Sequence, residues 1–222
     1  MVNAMITVSK EDYLKAILEA ECEGDQVIAA RLAQWLSVSA PAVTMALRRL
    51  KRDRLVSVRQ DGKVLLTAEG RGIARRLAFR HHLIERMLHD VFGMPWYKVH
   101  DEAERLEHAV SSDFEALLAR KLGRSGPCPH GNSATPEHPK AKRKRGLLPL
   151  SETQPGARYE VQSVYERDRK LLEFLEQKGI RPGTGLNVQA RNYDGTLSLA
   201  IAGKTTDLGG PAAEKIWVAR TR

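Results

Sequence analysis

The stretch SVSAPAVTMALRRLKRDRLVSVRQDGKVLLTAEG, Ser37 to Gly70, decides how the first part of this chain folds. Val38 and Ser39 form a turn. Ser39 is a capping residue, Pro41 suits a first helical turn, and Val43, Leu47 and Leu50 recur at the spacing of a buried helix face. Just upstream, Val27 to Leu36 reads as a short amphipathic helix with Ile28, Leu32 and Leu36 facing inward. Two helices joined by so tight a turn are a helix-turn-helix. Downstream, alternating runs at Leu55–Arg59 and Lys63–Thr67 flank Asp61-Gly62, a strong hairpin signal. A helix-turn-helix followed by a hairpin is a winged helix. Small and hydroxyl residues at the start of its second helix allow close approach to a major groove. Arg48, Arg49, Lys51 and Arg52 behind them, and Arg59 and Lys63 at the wing tip, can meet phosphates. Winged helices also serve as protein-docking modules, so the fold alone does not decide function.

Working outward, Ser9 to Glu23 reads as a helix with Ser9 as its cap, Asp12 in its first turn and Leu14, Ile17 and Leu18 buried. Gly24 ends it. On the other side, Thr67 caps a long helix that runs to Gly93, with His81 and Glu85 four residues apart on one face. Next comes MPWYKVHDEAERLEHAV, Met94–Val110. Pro95 opens this helix, and Val99, Ala103, Leu106 and Val110 make its apolar stripe. His100, Glu104, Glu107 and His108 fall within an arc of about 100° beside that stripe. Taken alone, such a flank is either a solvated polar face or a cation site. A second histidine/carboxylate face on the preceding helix favours the cation. Ser111 to Leu122 predicts a third helix, capped by Asp113, with Phe114, Leu117, Leu118 and Leu122 buried and contributing to a dimer surface.

Residues 123–150 are rich in Pro, Gly, Ser and basic residues and lack periodicity, as a linker does. Cys128-Pro129-His130 supplies two donors, too few for a site, and reads as a loop. The run at 140–145 carries five cations and is either solvated or adds nonspecific attraction to DNA. From Ser151 onward the character changes. Short β-type runs at Tyr159–Tyr165, Leu186–Arg191, Thr196–Ala202 and Lys215–Ala219, with one helix near Arg169–Lys178, describe a small β-barrel.

Charge separates along the chain. The formal net charge is +9, yet residues 31–80 alone hold 12 Lys/Arg against 3 Asp/Glu, whereas residues 81–115 hold 8 acids against 3 bases. This pattern suits a polyanion at one end and a cation in the middle. No apolar run reaches the ~18 residues of a membrane helix, and the first residues lack the apolar core of a signal peptide. Two cysteines cannot frame a disulfide scaffold or a four-cysteine zinc site. The expectation is a reduced, cytoplasmic protein with no membrane partner. A metalloenzyme is disfavoured because no Glu-x-x-His, nucleophile elbow or Walker loop is present, and no small organic substrate is expected.

Winged helix, two metal-ligand faces, linker and terminal barrel together resemble the diphtheria toxin repressor family of metal-dependent regulators. VHDEAERLEH and RHHLIERML look like that family's ligand segments, and CPHGN and GIRPG are also similar. The resemblance implies a mainly α fold with a small β part. Its segments would be a winged helix-turn-helix DNA-binding domain at 1–72, a helical dimerisation and metal domain at 73–124, a linker at 125–150 and an SH3-like barrel of FeoA type at 151–222. It implies a homodimer on a palindromic operator, with Ser39, Pro41, Ala42 and Thr44 near bases or phosphates. It implies two metal sites per subunit: a primary one of Asp12, Glu104, Glu107 and His108, and an ancillary one of His81, Glu85 and His100, with Asp168 as a further ligand from the barrel. Aspartate and glutamate at Asp12 and Glu104 look like the manganese-type members; the iron-type members carry methionine and cysteine there. Mn²⁺ is therefore the expected cofactor, with Fe²⁺ the alternative and other divalent ions as substitutes. One departure is Lys15, which stands where short manganese regulators place a second glutamate. The competing reading is a winged-helix regulator that ignores metal.

Overall fold

The structure, a computed structural model, describes residues 7–24 and 26–221. Residues 1–6, read above for a leader, lie outside them. Two compact units make up the chain: Met1–His81 with Thr135–Pro139, and His82–Ala134 with Lys140–Arg222.

The first unit begins with α1 (Val8–Cys22). It starts one residue before the expected cap, because the Thr7 carbonyl already accepts from Lys10 N and Glu11 N. α2 (Ala29–Trp35) and α3 (Ala40–Arg52) follow. Ser39 caps α3 by accepting from Ala42 N at 3.4 Å. Leu14, Ile17, Leu32, Val43 and Leu50 meet in a closed core. β1 (Val56–Val58) and β2 (Val64–Leu66) pair antiparallel as the wing. The strands are shorter than the sequence pattern suggests because Arg59 and Lys63 belong to the turn: Gly62 N donates to the Arg59 carbonyl and Lys63 N to the Asp61 carboxylate. Gly62 takes a φ of +79°, which favours glycine. α4 (Ala68–Arg86) is capped by Thr67, whose hydroxyl accepts from Gly70 N at 3.1 Å.

In the second unit α4 ends in a π-helical turn, Met87–Val91. α5 (Val99–Leu106) is shorter than expected at both ends. Pro95 does not open it. Trp96 is instead drawn into the barrel core, where it is buried and its indole N–H donates to Glu176 at 2.6 Å. At the far end Glu107 keeps helical backbone angles, but the helix proper stops at Leu106. α6 (Ser112–Leu122) is capped by Ser111, not Asp113, through a bond from Phe114 N. Leu118 on α6 is buried, whereas Phe114 and Leu117 are exposed on this single chain.

α7 (Pro139–Lys144) stands within the expected linker. After it come β3 (Leu147–Pro149), β4 (Arg158–Val164), α8 (Arg169–Gln177), β5 (Gly185–Arg191), β6 (Leu197–Ile201), β7 (Lys204–Leu208), α9 (Gly210–Ala213) and β8 (Ile216–Arg220). The sheet order is β3-β8-β4-β5-β6-β7, antiparallel throughout. Val161, Val188, Leu197, Leu199 and Val218 point into its core with Leu172 and Leu175 of α8. β3 and β7 are absent from the sequence reading. Each is a sheet-edge strand, and β7 (KTTDL) shows no apolar alternation.

Candidate metal centre

Four donors converge in the second unit. Glu85 comes from the end of α4, Cys128 and His130 from the loop after α6, and Glu166 from the segment following β4; their ligand atoms all lie within 4.8 Å of one another. The loop is folded by its own backbone. Gly131 N donates to the Cys128 carbonyl at 2.8 Å, and Cys128 N to the Asn132 carbonyl at 2.9 Å. It is then pinned to β4, where Val164 N donates to the His130 carbonyl and Asn132 Nδ2 reaches both the Val164 carbonyl and Glu166, the last at 2.6 Å.

His130 is fully buried. Its Nε2 lies 2.9 Å from the Trp96 carbonyl. A carbonyl only accepts, so Nε2 carries the hydrogen, and in the neutral ring Nδ1 is the lone-pair nitrogen. Nδ1 faces Glu85 Oε1 at 3.4 Å, Glu166 Oε2 at 3.6 Å and Cys128 Sγ at 3.7 Å. An imidazole that donates one N–H to a backbone carbonyl and turns the other nitrogen toward two carboxylates and a thiol has the usual orientation of a metal ligand. Burial depresses the His130 pKa, but the carboxylates of Glu85 and Glu166 outweigh it, and the pKa is raised. Burial first, then the same two carboxylates, pushes the Cys128 thiol well above its ordinary value. Glu85 also accepts from His100 of α5, whose Nδ1 is 3.2 Å from Oε1. Two carboxylates, an imidazole and a thiol in a buried cluster fit a divalent first-row cation, with the sulfur drawing the preference toward softer members of that row.

The ligands expected from sequence are distributed as follows. Glu85 and His100 are in contact. His81, in the first unit, has its Nδ1 3.0 Å from the buried ammonium of Lys15. That bond occupies one of its two ring nitrogens, and it involves the very residue that departs from the family pattern. Asp168 serves another purpose: its carboxylate caps α8 by accepting from Leu171 N at 3.0 Å. Glu166, two residues earlier, is the barrel-unit carboxylate that reaches the cluster. Among the other set, Glu107 is buried with the His108 ring 3.7 Å from its carboxylate. Glu104 is exposed, between His100 and Arg167, each at 3.6 Å. Asp12 is half-buried on α1 of the first unit. The sequence reading sets Cys128 and His130 aside as two donors too few for a site, because Glu85 and Glu166, which complete the set, lie far away along the chain. The Cys-x-His spacing next to a glycine was the signal available.

In the first unit, Ser39, Pro41, Ala42, Thr44 and Arg48 are all exposed along the start and outer face of α3, and Arg59 is exposed on the wing with Lys63 half-buried beside it. Thr44 Oγ1 donates back to the Ala40 carbonyl.

Three family models match, and they divide the chain in the same order as these features: the N-terminal DNA-binding domain of iron-dependent repressors at residues 5–64, their metal binding and dimerisation domain at 67–136, and a FeoA domain at 148–220. Residues 137–147 lie between the matched segments. The diphtheria toxin repressor of Corynebacterium diphtheriae is 40% identical over 212 residues, 89% of this chain and 91% of that protein. This chain belongs to that family of metal-dependent transcriptional repressors. The iron-dependent repressor IdeR of Mycobacterium tuberculosis is 41% identical over 122 residues, 55% of this chain and 53% of that protein. A solved manganese-dependent transcriptional repressor in complex with manganese superposes with a TM-score of 0.84 at 34% identity, covering 96% of this chain and all of that one. The family's members are DNA-binding repressors rather than enzymes, and iron and manganese are both represented among the relatives. Among the described residues no helix is long and apolar enough to cross a membrane.

Proposed function

We propose that Mn²⁺ is the activating ion, that each subunit holds two ions, and that their binding favours the form of a homodimer that fits a palindromic operator in the cytoplasm. The observation that carries the metal dependence is the buried Glu85–Cys128–His130–Glu166 cluster, because clustered carboxylates beside a buried imidazole need a cation to offset their mutual repulsion. Asp12, Glu104, Glu107 and His108 form the other donor set. They offer hard oxygens and an imidazole with no sulfur, which favours Mn²⁺. When bound, the cation supplies positive charge and fixed bonds between helices. Ser39, Pro41, Ala42 and Thr44 then meet the major groove, and Arg48, Arg59 and Lys63 meet phosphates. Phe92, Phe114 and Leu117, exposed on this chain, fit the dimer contact.

The test is binding to a promoter duplex with Mn²⁺, with Fe²⁺ under anaerobic conditions, and with chelator. Retardation that needs Mn²⁺ supports the reading. An equal response to Fe²⁺ removes the manganese preference, and tight binding in chelator removes metal control. Asp12→Ala is expected to abolish metal-dependent retardation while circular dichroism stays unchanged.

Cation affinity should also rise with pH. The Cys128 thiol and the His130 ring both have raised pKa values, so each must shed a proton that competes with the ion. Each proton displaced makes affinity climb about tenfold per pH unit while pH stays below the raised pKa. Isothermal titration at stepped pH reads this slope. Cys128→Ser should flatten it, and an unaltered slope in that variant would remove the thiol from the ligand set.

A further inference from the structure

We propose that α7 and Arg145, held on the barrel of the second unit, form a second DNA-binding surface that takes duplex phosphates without reading sequence. This rests on the DNA-binding reading above. Lys140, Lys142, Arg143, Lys144 and Arg145 place five cations in six residues, and no acid occurs from 138 to 151. A run of like charges normally stays extended and solvated. Here it is helical and clamped. The Lys142 ammonium reaches Ser163 Oγ at 3.3 Å and lies 5.2 Å from the centre of the Trp217 ring. The Arg143 guanidinium stands 5.8 Å from the same ring and makes two bonds to Glu152, at 2.6 and 2.7 Å.

Trp217 on β8 pairs with Pro149 of β3 on one side and Ser163 of β4 on the other. The helix is therefore seated on β8 and β4. With Lys142 and Arg143 turned to the barrel, Lys140 and Lys144 are exposed one helical turn apart, and Arg145 is exposed next to them. Ordering these cations raises their mutual repulsion, and a polyanion relieves it. Duplex DNA is the polyanion the chain already favours, since residues 31–80 carry a second strong basic excess. The chain also tethers the surface to the DNA-binding unit. α7 begins at Pro139, the last residue of the Thr135–Pro139 segment, where the Cys22 thiol donates to the Pro136 carbonyl at 3.4 Å.

The test uses the full chain with Mn²⁺ and a mixed-sequence duplex, with fluorescence anisotropy across a salt series. Lys140→Ser/Lys144→Ser/Arg145→Ser leaves the clamping residues in place. If the three cations meet phosphates, the slope of log affinity against log salt should flatten by about 2 to 3. A Lys140→Arg/Lys144→Arg variant should keep the wild-type slope. A wild-type slope in the triple variant overturns this proposal alone. Loss of binding to anionic vesicles with the DNA slope unchanged overturns it in favour of a membrane. A wild type that binds no duplex overturns the DNA-binding reading itself.

Discussion

Gly131→Ala should destabilise the second unit by about 3 kcal/mol or more and displace two of the proposed cation donors at once. Gly131 has a φ of +79°. An alanine there carries the cost of the left-handed region, about 1 kcal/mol. The larger effect is steric. An added Cβ would run into the carbonyl of Gln162 on β4, well inside contact distance, with the backbone of Ser163 behind it. Backbone cannot swing aside as a flexible side chain can. Relief requires the loop to lift off β4, which breaks the bond from Val164 N to the His130 carbonyl and pulls His130 and Cys128 away from Glu85. A melting point lower by on the order of 10 °C is expected, together with loss of cation binding. Gly62→Ala is the control. Gly62 has the same φ of +79° and nothing within 4 Å of the added Cβ, so it should show the conformational cost alone. Equal losses in the two variants would mean that the close approach to β4 contributes nothing.

The contrast between these two glycines also shows what the sequence could and could not reveal. Asp61-Gly62 announces its turn locally, because alternating runs flank it. Likewise Ser39 and Pro41 mark the start of α3, and the spacing of Val43, Leu47 and Leu50 marks its buried face. These features depend on residues a few positions apart. Gly131 depends on a strand that begins 27 residues later, and no local pattern encodes that contact. The metal cluster was hidden for the same reason. Glu85 and His100 were legible as helix faces, but Cys128, His130 and Glu166 reach them only through the pairing of the loop with β4. Trp96 shows tertiary packing overriding a local preference. Pro95 suits a helix start, yet burial of the neighbouring indole in the barrel core delays α5 to Val99. Phe114 and Leu117 fit an apolar helix face in sequence, and on the single chain that face is open.

Glu85→Gln should leave the metal-free protein folded and remove most of its stabilisation by cation. Glu85 is 1% exposed, and one of its oxygens faces the ring nitrogens of both His100 and His130. An alanine would take one partner from each of two buried imidazoles, at about 1–3 kcal/mol for each group left unsatisfied. Glutamine keeps the shape, and an amide NH2 in place of that oxygen can donate one hydrogen to each ring nitrogen, so only the charge is lost. That charge is what a cation requires. Taking the Asp12→Ala background to isolate this cluster, an ion at 100 times its dissociation constant stabilises the fold by about 2.7 kcal/mol. If the substitution weakens binding about 100-fold, the same ion concentration stabilises by only about 0.4 kcal/mol. Thermal melts of the two proteins with and without Mn²⁺ read the difference directly. The metal-free melts should nearly coincide, and the protein that retains Glu85 should shift upward several times further than the variant. Equal upward shifts would remove Glu85 from the ligand set, whereas a collapsed metal-free melt would make its role structural.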